Sequence, residues 1–466
     1  MINGVAPLQL VGRAEAEERS IRPAQSQTGP QQQVAADASP VTLPPKNASV
    51  AQTAPATYVS HEILATDLIP AAIETARRLG FKIDASPLLS NLNGAVIRLT
   101  IPKGFDLGQA RALLQKALPN ETFALNRLYR LYRTASDLEP ERTELATLPG
   151  RPAVPCKGDR CFGRQAIHWQ DTLQACSSGL RIGVIDTGID HEHPAFTGRR
   201  INNGNFVPAG KSRAPNWHGT GVLAVLAGEP KSGTPGLIPN ADFFVADVFF
   251  ADANGEFATD TVSLLKALDW MHAFDVKLIN MSFAGPRDEL VQKAIERMSA
   301  SGVLFVAAAG NEGPAAVPSY PAAYKQVIAV TAVNKDLRSY RHANRGDYID
   351  VAAPGVDIWT AVPDRREGYH TGTSFAAPYA TAVLASVYRS IARPQKDEVL
   401  NRLATLDLGP PGRDPIYGRG LLMAPTDCRL DEPAASTTIA STPRRWLPSV
   451  RDDNGLTSFA PTLGFR

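Results

Sequence analysis

A doubly wound, mostly parallel α/β sheet, preceded by a small ferredoxin-like α+β domain, is the fold class this 466-residue chain predicts. Three observations predict it. From about residue 165, apolar runs such as Leu304-Phe305-Val306-Ala307-Ala308-Ala309 alternate with helical runs, the pattern of a parallel sheet covered on both faces. Between residues 58 and 133 the order reads β-α-β-β-α-β, a split βαβ pattern. Residues 1–57 and 428–466 are rich in Pro, Ser, Thr, Ala or Gln without a period of 2 or 3.6, which predicts a disordered leader and a flexible tail.

The small domain, 58–133, is built as follows. Tyr58 to Ala65 is strand-like. Ile69, Ile73, Ala76 and Leu79 step along one helix face, and Gly80 ends it. Phe81 to Ala85 alternates again, as do Ile97, Leu99 and Ile101. Asp106 is a candidate N-cap for a helix carrying Leu107, Ala110, Leu114 and Leu118, which Pro119 stops. Thr122 to Tyr132 is the last strand. Residues 134–164 hold mixed charge, prolines and two cysteines, a linker open to cleavage. Within 165–427, strands are predicted at Leu180–Ile185, Phe243–Phe249, Val276–Met281, Val303–Ala309 and Val327–Val333. Helices are predicted at Val222–Ala227, Thr261–Phe274, Asp288–Ala300 and Ser374 to about Ala392, the last following a polar loop.

Composition narrows the function. The apolar fraction of 44% permits a large core, and the net charge of +2 gives no reason to expect nucleic acid or a membrane surface as partner. No run of about 18 apolar residues suggests a transmembrane helix. Met1 to Ser20 lacks the apolar centre of a signal peptide. Cys156, Cys161, Cys176 and Cys428 allow three pairings. A 156–161 bridge would close a short turn and leave 176–428 to tie the ends of the segment between them. Two disulfides would imply an oxidising, secreted or periplasmic setting. A four-cysteine zinc site is the alternative, without paired C-x-x-C spacing.

Four stretches carry chemistry. In Thr371-Gly372-Thr373-Ser374-Phe375-Ala376-Ala377-Pro378, Ser374 lies on the first turn of a helix, among unpaired N–H groups and the positive end of the dipole. Asp186, in Val184-Ile185-Asp186-Thr187-Gly188-Ile189-Asp190, ends an apolar strand, where an open sheet presents its ligand side. His218 stands in Asn216-Trp217-His218-Gly219-Thr220-Gly221, at a helix start. Asn311 follows a buried strand in Ala307-Ala308-Ala309-Gly310-Asn311-Glu312-Gly313. Each residue alone has a structural explanation: a capping turn, a buried acid satisfying loop N–H groups, a satisfied histidine, an Asx turn. Together they supply a nucleophile, a base, an acid to orient the base and an oxyanion donor, which acyl transfer requires.

These motifs resemble the subtilase family of serine peptidases, whose chain order is Asp, His, Ser. The gaps are 218 − 186 = 32 and 374 − 218 = 156 positions. The resemblance covers roughly 165–426 and extends to Ile279-Asn280-Met281-Ser282 and Val351-Ala352-Ala353-Pro354-Gly355. It implies that Ser374 attacks the peptide carbonyl, His218 moves the proton and Asp186 orients the imidazole. The Asn311 amide and the Ser374 N–H would hold the oxyanion. It implies polypeptide substrates pairing with Ser282-Phe283-Ala284-Gly285 and, across the groove, with an edge around Gly255. Ala309 and Gly310 would form the far wall of a small apolar pocket, and Glu312 its charged rim. Residues 58–133 would be a propeptide acting in cis as chaperone and inhibitor, with cleavage in 134–164, and the enzyme would be a monomer. The resemblance admits calcium, with Asp190, Glu192 and Asp260 as candidate oxygen ligands, though no compact acidic loop occurs. A transition metal on Asp190-His191-Glu192-His193 is disfavoured, because adjacent loop residues seldom converge on one ion.

Two other readings compete. Asp186-Thr187-Gly188 is also the aspartic peptidase tripeptide, but no second copy occurs and His218, Asn311 and Ser374 go unexplained. A catalytically silent peptide-binding relative would be expected to have lost one of the four residues.

Overall fold

A computed structural model of the protein describes residues 57–85, 89, 91–92, 94–131, 143–145, 158–252 and 254–429, with backbone alone over 143–145. The expected leader, most of the 134–164 linker, Cys156 and the tail beyond Arg429 lie outside the described residues.

The small domain follows the predicted order: β1 (Tyr58–Thr66), α1 (Pro70–Arg78), β2 (Lys82–Ala85), β3 (Val96–Thr100), α2 (Leu107–Ala117) and β4 (Phe123–Arg130). α1 opens on Pro70, whose missing N–H falls where a helix start has no acceptor for it. Asp106 caps α2: its carboxylate accepts from the Gln109 N–H at 2.8 Å, and the Gln109 side chain accepts from the Asp106 N–H at 3.1 Å. β1 pairs antiparallel with β3 and β4. Ile63, Leu99, Ala110 and Leu114 are fully buried in a core of their own.

The large domain carries β5 (Thr143–Leu145), α3 (Phe162–Ala166), β6 (Arg181–Asp186), β7 (Arg200–Asn205), α4 (Trp217–Ala227) and β8 (Asp242–Asp247). β9 (Phe250–Ala251), β10 (Phe257–Asp260), α5 (Thr261–Ala273), β11 (Leu278–Met281), α6 (Glu289–Ala300) and β12 (Leu304–Ala308) follow. β13 (Val327–Val333), β14 (Val351–Pro354), β15 (Ile358–Val362), β16 (Arg366–His370), α7 (Thr373–Val387), α8 (Lys396–Arg402), β17 (Thr405–Leu406) and β18 (Leu421–Leu422) complete it. Nine strands form one sheet in the order β17-β18-β14-β13-β12-β11-β6-β8-β7. Apart from β17–β18, its neighbours run parallel. α4 and α7 cover one face, α5 and α6 the other. That double cover explains why β13 is buried at every position.

Three features differ from expectation. The helix carrying Ser374 ends at Val387, in a 3-10 turn over Tyr388–Ser390, rather than near Ala392. The Ser386 and Ser390 hydroxyls donate to the Val383 and Val387 carbonyls, both at 2.7 Å, local bonds that compete with helix propagation. The polar loop before Gly372 is a hairpin, β15–β16, extended by β5 of the expected linker. β7 (Arg-Ile-Asn-Asn-Gly-Asn) has no apolar alternation because it is an edge strand, paired on one side with β8.

The two domains share one sheet. β4 also pairs antiparallel with β10, giving the order β2-β3-β1-β4-β10-β9. Leu64, Leu92, Tyr129 and Leu131 of the small domain join the same buried cluster as Phe249, Phe283 and Met281 of the large one.

Cys176 and Cys428 form a disulfide spanning 252 positions, and Cys161 is also disulfide-bonded. No helix among the described residues is long and apolar enough to cross a membrane.

α8 is anchored by a buried ion pair. Lys396 Nζ lies 2.6 Å from Asp350 Oδ2, which also accepts from the Ala329 N–H at 2.8 Å. Burial pushes the Asp350 carboxyl above its usual range although Lys396 opposes this. Lys396→Met leaves that carboxylate with Arg413, 3.4 Å away, as its remaining cationic partner among the described residues. The expected cost is about 3–5 kcal/mol, read as a lower urea midpoint at unchanged slope.

Candidate active site

Asp186, His218 and Ser374 are brought together by three elements. Asp186 is the last residue of β6, fully buried. Its Oδ1 accepts from the Thr187 N–H at 2.7 Å and from His218 Nδ1, also at 2.7 Å. The bond leaves Nε2 as the basic nitrogen of the neutral ring. His218 lies in the first turn of α4, 2% exposed. Trp217 meets its ring edge-on at 5.2 Å, and Phe375 lies 5.4 Å away. Gly219 lets α4 approach β6: a Cβ there would come within 2.5 Å of the Thr187 carbonyl oxygen.

Ser374 is in the first turn of α7, beside Gly372 at its N-cap. Its hydroxyl donates to the Ser282 carbonyl at 3.0 Å, and the Ser282 hydroxyl donates back to the Ser374 carbonyl at 2.8 Å. The second bond has a cause in sequence. Pro378 sits four residues on, where a helix would supply the N–H for the Ser374 carbonyl, and proline has none. The Ser282 hydroxyl supplies a donor instead. Behind it, Asn280 Nδ2 donates to Ser282 Oγ at 2.9 Å and Thr381 Oγ1 to Asn280 Oδ1 at 3.0 Å.

Asn311 follows β12. Its Oδ1 accepts from the Thr373 N–H at 3.0 Å and the Thr373 hydroxyl at 2.9 Å. Since a backbone N–H only donates, the amide orientation is settled, and Nδ2 is the end near Gly372: a Cβ on Gly372 would lie 3.2 Å from it.

The expected substrate walls divide. Ala284 pairs with Arg130 of β4: the Arg130 N–H donates to the Ala284 carbonyl at 2.8 Å, and the reverse bond is 3.3 Å. The opposite edge is Phe257–Asp260, with the Leu131 N–H donating to the Phe257 carbonyl at 3.2 Å. Gly255 is not part of that pairing; it forms the tip of the β9–β10 turn at φ +76°, a conformation that favours glycine. Phe283 faces Tyr129, edge-on at 5.8 Å. Gly285 pairs with Tyr320 and leaves room for Tyr129, since a Cβ on it would fall 2.6 Å from that ring. Ala309 is fully buried, and the Gly310 N–H donates to Thr373 Oγ1 at 3.2 Å. Glu312 accepts from Ser319 at 3.1 Å and Asn344 at 3.4 Å, which ties it to its loop.

The candidate metal ligands do not converge. Asp190 accepts from the N–H groups of Glu192 and Asp364, each at 3.1 Å, and Asp260 from Ser263 at 2.8 Å and Asn126 at 3.2 Å. His193 Nε2 donates to the Arg366 carbonyl at 2.8 Å and its Nδ1 accepts from Ala195 at 3.1 Å; burial lowers its pKa. Among the described residues no group of three His, Cys, Asp or Glu side chains is placed to hold a metal.

Residues 177–420 match the model of the subtilase family. The chain is 31% identical over 267 residues to subtilisin E of Bacillus subtilis (strain 168), covering 55% of this chain and 67% of that protein. It is also 31% identical to a subtilisin of Bacillus pumilus, covering 92% of that protein. The fold resembles the crystal structure of fervidolysin from Fervidobacterium pennivorans at a TM-score of 0.65 and 22% identity, over 80% of this chain and 61% of that chain. This chain belongs to the subtilase family and is a subtilisin-like serine peptidase.

Sequence reading took Thr373 only as a small residue near the substrate, not as the partner of Asn311, and it missed Thr381 and Asp252, the last described below. Nothing in their sequence context distinguishes them from ordinary helix and turn residues. Removing the Ser282 hydroxyl tests the bond that proline makes necessary. Ser282→Ala leaves the buried Ser374 carbonyl without that donor, at a cost of about 1–3 kcal/mol. The expected readout is a melting temperature lower by several degrees, measured with Ser374→Ala in both proteins to prevent self-digestion.

Proposed function

We propose that the chain is a serine endopeptidase made as a self-processing zymogen, with residues 58–133 as its inhibitor in cis. Ser374 Oγ attacks the peptide carbonyl and gives its proton to His218 Nε2; the imidazolium is stabilised by Asp186. The oxyanion is held by Asn311 Nδ2 and the Ser374 N–H, at the positive end of α7. His218 then protonates the leaving amine, and water repeats the sequence on the acyl-enzyme.

One observation carries this reading: β4 lies between Ala284 and β10 as the middle strand of an antiparallel trio. Backbone pairing of that kind recognises an extended peptide with little regard to its sequence. It also makes the small domain a product-like occupant of the groove. In the Arg130–Ala284 register, a substrate residue two places beyond the one paired with Ala284 would face Ser282, whose carbonyl is 3.0 Å from Ser374 Oγ. By that register the bond we propose is cleaved is Tyr132–Arg133, upstream of the 134–164 range in which the sequence led us to expect it. The Cys176–Cys428 disulfide supports an oxidising, exported setting.

Purified wild type is expected to shorten to an N-terminus at Arg133, read by intact mass, and to digest casein until phenylmethylsulfonyl fluoride is added. Ser374→Ala should stay full length and inert. Wild type that stays full length and leaves casein intact would sink the proposal. In processed enzyme, Asn311→Leu should lower kcat about 10²–10³-fold, and Asp186→Asn about 10⁴-fold, with KM little changed.

A further inference from the structure

Arg130, the residue of β4 paired with Ala284, is only 9% exposed. Its guanidinium lies 3.0 Å from Asp252 Oδ2, and both side chains are largely buried, at 11% and 14% exposed. Asp252 belongs to the large domain, at the start of the turn joining β9 to β10. The turn fixes its carboxylate. Oδ1 accepts from the Asn254 N–H at 2.8 Å and the Glu256 N–H at 3.0 Å. The Asp252 backbone holds the same turn, its N–H on the Glu256 carbonyl at 2.8 Å and its carbonyl on the Gly255 N–H at 3.0 Å. Oδ2 is thus aimed into the groove by a structure that does not depend on Arg130.

We propose that Asp252 is a specificity-determining residue, selecting substrates with arginine or lysine at the third position before the cleaved bond. The position follows from register. A substrate residue against Ser282 precedes the cleaved bond, because the Ser282 carbonyl adjoins Ser374 Oγ. The residue paired with Ala284 lies two places earlier, where Arg130 now sits. Burial opposes ionisation of Asp252, but the Arg130 hydrogen bond and the two N–H groups outweigh it and hold the carboxyl below its usual range. A basic side chain meets a carboxylate already oriented and already hydrogen-bonded. A neutral side chain leaves that carboxylate part-buried with no countercharge, which is the larger part of the discrimination. Glu256, in the same turn, is exposed and lends no such constraint.

The inference rests on the peptidase reading, and its test separates the two. Self-processed enzyme is assayed on succinyl-Tyr-Arg-Leu-Tyr-p-nitroanilide, the sequence of residues 129–132, and on the same peptide with glutamine in place of arginine. Wild type should favour the arginine peptide about tenfold in kcat/KM, between the worth of an exposed and of a buried ion pair. In Asp252→Asn, which keeps an oxygen for the turn, the ratio should fall to about one; in Asp252→Glu part of the preference should remain. A wild-type ratio near one, or a ratio that persists in Asp252→Asn, overturns the assignment while casein digestion keeps the peptidase reading standing. Casein digestion with neither peptide cleaved also overturns it. No casein digestion at all removes the peptidase reading and this inference with it.

Discussion

The reciprocal pair between Ser282 and Ser374 is the contact on which the site is built. It joins the end of a central strand to the first turn of the longest helix, hydroxyl to carbonyl in both directions. Two buried residues stand in line behind it, Asn280 and Thr381. A polar chain inside an apolar sandwich is tolerable only when its members are paired, and then it enforces one arrangement of helix against sheet. The same backbone that pairs with β4 at Ala284 is thereby fixed to Ser374. The β4 pairing and Ser374 are held in register by one short stretch, 280–285.

Around that contact the sheet does what parallel sheets do. Its apolar strands align their carboxyl ends, and Asp186, Ser282 and Asn311 all emerge there. α4 and α7 approach from one face and bring His218 and Ser374 to the same rim. The dipole of α7 and the Asn311 amide then favour negative charge at one point. None of these side chains is unusual by itself; the strand order and the helix starts make them neighbours.

Much of this was legible in the sequence. The β-α-β-β-α-β order and the alternation of apolar strands with helices follow from periodicity, which burial enforces. Asp186, His218, Asn311 and Ser374 stand out because each sits at an element boundary beside glycine or threonine. The hairpin β15–β16 and strand β7 were not legible, since β16 and β7 are polar without alternation and β15 is a short run buried at every position. The edge of the groove, read as Gly255-Glu256-Phe257, was legible at Phe257 alone. Gly255 looked like a backbone site, but its glycine serves the turn conformation, and Phe257–Asp260 does the pairing. Asp252 was invisible because an acid before a tight turn is ordinary; only the folded register of Arg130 against Ala284 gives it a direction.

Asp186, His218, Asn311 and Ser374 all lie between Cys176 and Cys428. The chain is thereby closed into a covalent ring that contains all four residues of the proposed reaction. A peptidase is exposed to its own kind, and its surface loops are the places most open to cutting. A single nick inside the ring opens the polypeptide without dividing the molecule. The two pieces stay attached through sulfur, and the packed sheet between them keeps the severed ends in place.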